Sequence, residues 1–251
     1  MTGMLASVQS LEETIMALSA QVDIIDLKQP ASGALGALDR DAIRRICDYC
    51  NGRRPVSATI GDLPVRPDPV FAAVKAMQET GVDYIKIGFF PGGDPEGTAH
   101  KLSVLTGRQP ALIGVLFADT EPDFALIDLL KSSGFTGVML DTMDKSKGSL
   151  TEVMRPETIG QFVGLARSRR LLCGLAGSLR LADIPELTAL RPDYLGFRGA
   201  LCVGSARTAR LDPESTVRIR EAVAAAAGRC AKARPVDFEA EFGGIRNVSG
   251  K

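Results

Sequence analysis

Short apolar runs recur along this chain and alternate with longer stretches in which apolar positions return every three or four residues. The runs lie at 4–8, 22–27, 55–60, 82–88, 111–117, 136–141, 171–176 and 193–199. Between them the periodicity predicts helices over Leu11–Ala20, Arg40–Cys50, Pro69–Thr80, Glu96–Leu105, Glu121–Ser132 and Arg155–Ser168, a weakly patterned one over Leu181–Leu190, and a last one over Pro213–Ala233. Asp212 precedes a proline that suits the first helical turn, Asp39 and Asp123 stand in similar capping positions, and Gly81 and Gly134 suit helix C-termini.

Strand runs alternating with helical periodicity are the pattern of a parallel sheet covered by helices. Eight strand–helix units in about 230 residues fit a single-domain α/β TIM (β/α)8 barrel over residues 1–233, the alternative being an open doubly wound sheet. The mixed polar stretch 234–251 is expected to be a strand-free C-terminal extension, with Phe238 and Phe242 available to dock on the body.

Composition narrows the function classes. Thirty basic and thirty acidic side chains cancel, which removes the electrostatic reason for a nucleic-acid or membrane-surface partner. No apolar run approaches the roughly 18 residues of a membrane span, and the N-terminus lacks a basic region followed by an apolar core, so a cytoplasmic protein is expected. The five cysteines are an odd number and fit a reducing compartment. Cys47 and Cys50 form one CxxC inside a predicted helix, without a second pair or a nearby histidine. The one histidine, His100, is expected to be solvated or capping. Neither a metal centre nor an organic cofactor is expected. The oligomeric state stays open, and a homo-oligomer is compatible with the sequence.

In such barrels the chemistry sits at the C-terminal ends of the strands. There the chain places Asp26 and Lys28 after the second strand, Asp62 after the third, Lys86 on the fourth, Asp119 after the fifth, Asp141 after the sixth and Arg198 after the eighth. Lys145 and Lys147 follow Asp141 in a Gly-terminated loop. Asp62 and Asp119 are expected to tie turns or cap helices, as strand-end aspartates commonly do. The lysines ask for more: strand parity points Asp26, Lys28 and Lys86 into the barrel mouth while Ile25, Leu27, Ile85 and Ile87 face the helices. Lysine is seldom buried without a task.

An inward lysine either holds a phosphate or forms a Schiff base, and the second use needs a neutral amine. Two ammonium groups about 6 Å apart at an effective dielectric near 20 repel by about 3 kcal/mol, worth about 2 pKa units, and desolvation adds to this. An ionised Asp26 opposes the effect on Lys28. Electrostatics alone therefore makes Lys86 the easier lysine to neutralise and leaves the nucleophile open. Phosphate has its own signal in Gly177 and Ser178 after the seventh strand and Arg198 and Gly199 after the eighth, the two loops that hold phosphate in many barrels. Gly33 to Leu38 is either a further anion nest or a plain turn.

Six segments, DIIDLKQPASGALGA, SATIGDLP, DYIKIG, MLDT followed by a lysine, GLAGSL and GFRGA, occur in this order between Val22 and Cys202. In them the chain resembles the (5-formylfuran-3-yl)methyl phosphate synthases, also called 4-(hydroxymethyl)-2-furancarboxaldehyde-phosphate synthases. The resemblance implies a TIM-barrel lyase that condenses two molecules of glyceraldehyde 3-phosphate, a phosphorylated triose, into a furan aldehyde for methanofuran-type carriers. It implies Lys28 as the Schiff-base lysine and Lys86 as proton acceptor, with Asp26, Asp141 and Lys145 at further active-site positions. The competing expectations are a Schiff-base aldolase or sugar-phosphate isomerase on the same barrel, and a phosphate-binding barrel without catalysis.

Overall fold

The computed structural model describes residues 1–232, so the expectations for Ala233 and for 234–251 lie outside the described residues. Strands β1 (Gly3–Val8), β2 (Ile24–Leu27), β3 (Val56–Thr59), β4 (Tyr84–Gly88), β5 (Ala111–Phe117), β6 (Gly137–Asp141), β7 (Leu172–Leu175) and β8 (Tyr194–Phe197) pair in parallel, each with the next. β8 returns to β1, with Gly3 beside Tyr194, so the sheet closes into a barrel and the open-sheet alternative falls.

Around it lie α1 (Leu11–Ser19), α2 (Arg40–Cys50), α3 (Pro67–Gln78), α4 (Pro95–Leu102), α5 (Ala125–Ser132), α6 (Leu150–Val153), α7 (Pro156–Ser168), α8 (Ile184–Ala189) and α9 (Pro213–Lys232). Asp39 accepts from the Ala42 amide and Asp212 from the Ser215 amide, as capping residues do. Among the helix boundaries that differ from the periodic pattern, three have a clear local cause. α3 begins two residues early because Pro67, like Pro69, tolerates a first turn whose amides have no partner. α5 begins only at Ala125, since Glu121 adopts a left-handed φ of 50° and Pro122 follows it. The segment from Leu181 splits into a 3-10 turn and α8, which has a proline in its first turn. α6 is too short for periodicity to reveal, but its capping box has a sequence signature in Ser149 and Glu152.

Register at the N-terminal end of the barrel is pinned by aspartates just ahead of three strands. Asp23 accepts from the Met4 amide, Asp83 from Val56 and Asp193 from Cys173, each at 2.7 Å. Each thus ties the start of its own strand to the strand beside it.

Two apolar clusters fill the molecule. The larger, including Ile25, Leu27, Ile85, Ile87, Val138 and Leu195, lies on the outward strand faces against the helices. The smaller includes Leu5, Ile113, Val115, Phe117, Met139 and Tyr194 and plugs the barrel. Tyr194 crosses directly over Gly174, where an added Cβ would come within 2.3 Å of the ring, so the strand can carry only glycine there. The plug is apolar mainly on β5 and β6. On β1 to β4 the same inward positions carry Ser7, Asp26, Ser57, Thr59 and Lys86, all buried.

Candidate active site

The inward parity expected for Asp26, Lys28 and Lys86 holds, because Ile25, Leu27, Ile85 and Ile87 occupy the outward face. Their pairing differs from the expectation. Lys86 Nζ lies 2.6 Å from Asp26 Oδ1, and both side chains are essentially inaccessible. Ser7 and Ser57, the residues beside Asp26 in β1 and β3, donate their hydroxyls to the same carboxylate at 2.8 and 2.6 Å. Burial alone would raise the Asp26 carboxyl, but the Lys86 and Lys28 charges and these hydrogen bonds outweigh it and hold it below the ordinary value.

Lys28 has a different partner. Its Nζ lies 3.6 Å from Asp141 Oδ2. The other Asp141 oxygen accepts from Lys145 Nζ at 2.5 Å and from the Thr142 amide at 2.8 Å. Lys145 also donates to the Thr142 carbonyl, so its ammonium is held against the end of β6. Despite burial, Asp141 is held well below the usual carboxylate range by Lys145 and Lys28. Burial brings the Lys28 amine down to about 8; Asp141 acts in the opposite direction, and Lys145 and Lys86 contribute to the lowering. The sequence-based preference for Lys86 rested on Asp26 opposing Lys28, and the structure gives Asp26 a different partner. Asp26 serves Lys86, and desolvation rather than repulsion between lysines is the main influence on Lys28.

The amine of Lys28 opens into a cavity of about 540 Å3 whose lining includes Lys86, Asp141, Lys145, Gly177, Ser178 and Gly199. Gly177 has a φ of 113°, and a Cβ there would lie 2.8 Å from the Thr142 side chain. Only glycine lets this loop pack against the turn that holds Lys145. Ser178 also has positive φ, at 46°. The amides of Gly177 and Ser178 donate to no backbone carbonyl among the described residues. Gly199 opens a 3-10 turn, whose first amides also lack an intrahelical partner.

Arg198, expected among the residues that hold phosphate, lines the same cavity, but its guanidinium is occupied by protein acceptors. Its Nε donates to the Arg207 carbonyl, Nη1 to Ser7 O and Glu13, and Nη2 to Glu13 and Ala209 O. All five N–H donors of the side chain are engaged. Arg198 is a strut that fixes the segment after β8 to β1 and α1.

Asp62 and Asp119 tie turns, as expected. Asp62 accepts from the amides of Ala34 and Leu35 at 2.8 and 2.6 Å, so in the segment read as either an anion nest or a plain turn these two amides are occupied by a side-chain carboxylate. Asp119 accepts from Met143 and Asp144 at 2.6 and 2.8 Å, in the turn that leads into Lys145, and Lys147 lies 3.8 Å from it. In the CxxC, burial pushes the Cys47 thiol up to about 12 and raises Cys50 as well, which keeps both protonated. His100 is exposed in the last turn of α4. No described helix is long and apolar enough to cross a membrane.

Sequence reasoning passed over Ser7, Ser57 and Thr142. The two serines sit at inward strand positions beside Asp26, so strand register was the signal that could have found them.

Solved structures with this fold include 3-hexulose-6-phosphate synthase from Salmonella typhimurium, with a TM-score of 0.64 at 14% identity over 90% of this chain and 100% of that one. Phosphoribosyl anthranilate isomerase from Thermus thermophilus has a TM-score of 0.63 at 16% identity, over 90% of this chain and 99% of that one. At such identities they establish the barrel alone. Sequence relatives say more. A protein of Methylorubrum extorquens, provisionally named (5-formylfuran-3-yl)methyl phosphate synthase, is 41% identical over 88% of this chain and 92% of its own length. The (5-formylfuran-3-yl)methyl phosphate synthase of Methanosarcina acetivorans is 34% identical over 82% of this chain and 93% of its own. The family model described as 4-HFC-P synthase matches residues 4–220. By that match and these relatives, the chain belongs to the 4-HFC-P synthase family.

Proposed function

We propose that this protein condenses two molecules of glyceraldehyde 3-phosphate, through a Schiff base on Lys28, into (5-formylfuran-3-yl)methyl phosphate for a methanofuran-type carrier. The observation that carries the reading is the Lys28 amine, buried in the cavity lining 3.6 Å from Asp141, where desolvation lowers its value to about 8. At pH 7 about a tenth of such amines are neutral, against a few in ten thousand for an ordinary lysine. A neutral amine is what attack on an aldehyde carbon requires.

The imine forms with loss of water and acidifies the neighbouring carbon. Lys86, with Asp26 beside it at 2.6 Å, takes that proton. At rest the two ammonium charges keep Asp26 ionised. An anionic substrate offsets those charges, so that Lys86 can pass its proton to Asp26 and act as the base. The resulting enamine attacks the aldehyde of the second triose. Asp141 and Lys145 orient that triose and assist departure of its phosphate. Overall, one phosphate and two waters leave, which balances two trioses against the furan product. The amides of Gly177, Ser178 and Gly199 form the seat for the phosphate that is retained.

The test is direct: purified protein incubated with glyceraldehyde 3-phosphate alone produces a furan chromophore and an equivalent of inorganic phosphate. A triose consumed without chromophore or phosphate release would count for an aldolase or isomerase instead.

A further inference from the structure

Two arginines in the segment between β8 and α9 line the cavity, Arg198 and Arg207, and their circumstances are opposite. Every donor of Arg198 has a protein acceptor. Among the described residues Arg207 makes one side-chain hydrogen bond, from Nη2 to the Gly33 carbonyl at 2.8 Å. Among the described residues no carboxylate lies within ion-pair distance of it, although it is half-buried. Burial lowers its value, and the more distant Asp141 and Asp62 act the other way. The other cavity arginines are less confined: Arg180 pairs with Glu152 at the outer rim, and Arg218 is exposed on α9.

A half-buried guanidinium that has spare donors, faces a cavity and is paired with no carboxylate among the described residues is a site for an anion. Its position says which anion. Gly33 belongs to the loop that follows Lys28, whereas the free amides of Gly177 and Ser178 belong to the loop after β7. Arg207 reaches the Lys28 loop at Gly33 and so lies on that side of the mouth, while the amides of Gly177 and Ser178 lie at the end of β7.

We infer that Arg207 binds the phosphate of the second triose, so that the cavity holds two phosphate groups at once, one on the amides after β7 and β8 and one on this guanidinium. The inference rests on the two-triose reading above. It adds a specificity residue: a second aldehyde without a phosphate would find Arg207 unpaired and bind poorly.

Calorimetric titration with inorganic phosphate tests the site without any reaction. Wild type is expected to bind two equivalents per chain. Arg207→Gln is expected to keep one and weaken the other at least tenfold, and Arg207→Lys to retain the second site in part. An unchanged melting temperature in Arg207→Gln separates lost binding from lost folding. In the same variant, borohydride trapping of the first triose on Lys28 stays near wild type while the KM for furan formation rises at least tenfold. One equivalent in wild type, or the same two sites in Arg207→Gln, overturns the inference. Failure of imine trapping and of furan formation in wild type would instead overturn the two-triose reading, with the phosphate titration still deciding the fate of Arg207.

Discussion

Lys86 Nζ sits 2.6 Å from Asp26 Oδ1 in a site closed to solvent, so the carboxylate that shares a strand face with Lys28 is committed to the other lysine. Removing one partner of a buried pair strands the other charge, at a cost of about 3 to 5 kcal/mol. Asp26→Asn is therefore expected to lower the unfolding free energy by about that much and to abolish furan formation. Asp26→Asn combined with Lys86→Met is expected to recover much of the stability and none of the activity. Denaturant titration of the three proteins checks this, and wild-type stability in the single variant would count against the pair.

Lys86→Ala separates imine formation from proton transfer. The adduct on Lys28 still forms, while turnover falls by about 10² to 10⁴, the usual worth of a positioned base. Parallel trapping and chromophore assays read the two steps independently, and wild-type turnover would remove Lys86 from the chemistry.

The pH dependence has a definite sign. Protonated Lys28 cannot attack, so below about 8 the rate of imine formation falls tenfold per pH unit, and above about 8 it levels off. Asp141 raises the Lys28 value and Lys145 lowers it. Asp141→Asn should therefore move the inflection to lower pH, and Lys145→Met should move it to higher pH. Single-turnover trapping rates across pH 6 to 10 read both shifts; a common direction would contradict the assigned geometry.

Asp119 acts through the turn it holds. Its two hydrogen bonds to the Met143 and Asp144 amides place Lys145 against Asp141. Asp119→Ala is expected to lower kcat on the order of tenfold to a hundredfold while the adduct on Lys28 still forms, because small misplacements of an orienting group are costly. Equal losses in trapping and turnover would assign Asp119 to folding alone.

The sequence exposes much of this site for a simple reason. A strand has a period of two, so Ile25, Leu27, Ile85 and Ile87 facing the helices force Asp26, Lys28 and Lys86 inward, and the eight-unit alternation places that face at a barrel mouth. Which carboxylate meets which lysine is not written in any one strand. It depends on register between strands, which puts Ser7 and Ser57 beside Asp26, and on the reach of side chains such as Lys145. Arg198 shows the same limit: its position after β8 is legible, but Glu13, far away in sequence, is what occupies its guanidinium. The late start of α5 and the short α6 escape the pattern because they involve a left-handed Glu121 and a four-residue helix, neither of which periodicity records.

The proposed chemistry depends on Lys28 as the nucleophile. Borohydride reduction in the presence of glyceraldehyde 3-phosphate, followed by peptide mass mapping, tests it most directly. A reduced triose phosphate adduct is expected on the peptide carrying Lys28, absent from Lys28→Ala, which is also inactive. An adduct on Lys86, or no adduct in wild type together with full activity in Lys28→Ala, would contradict it.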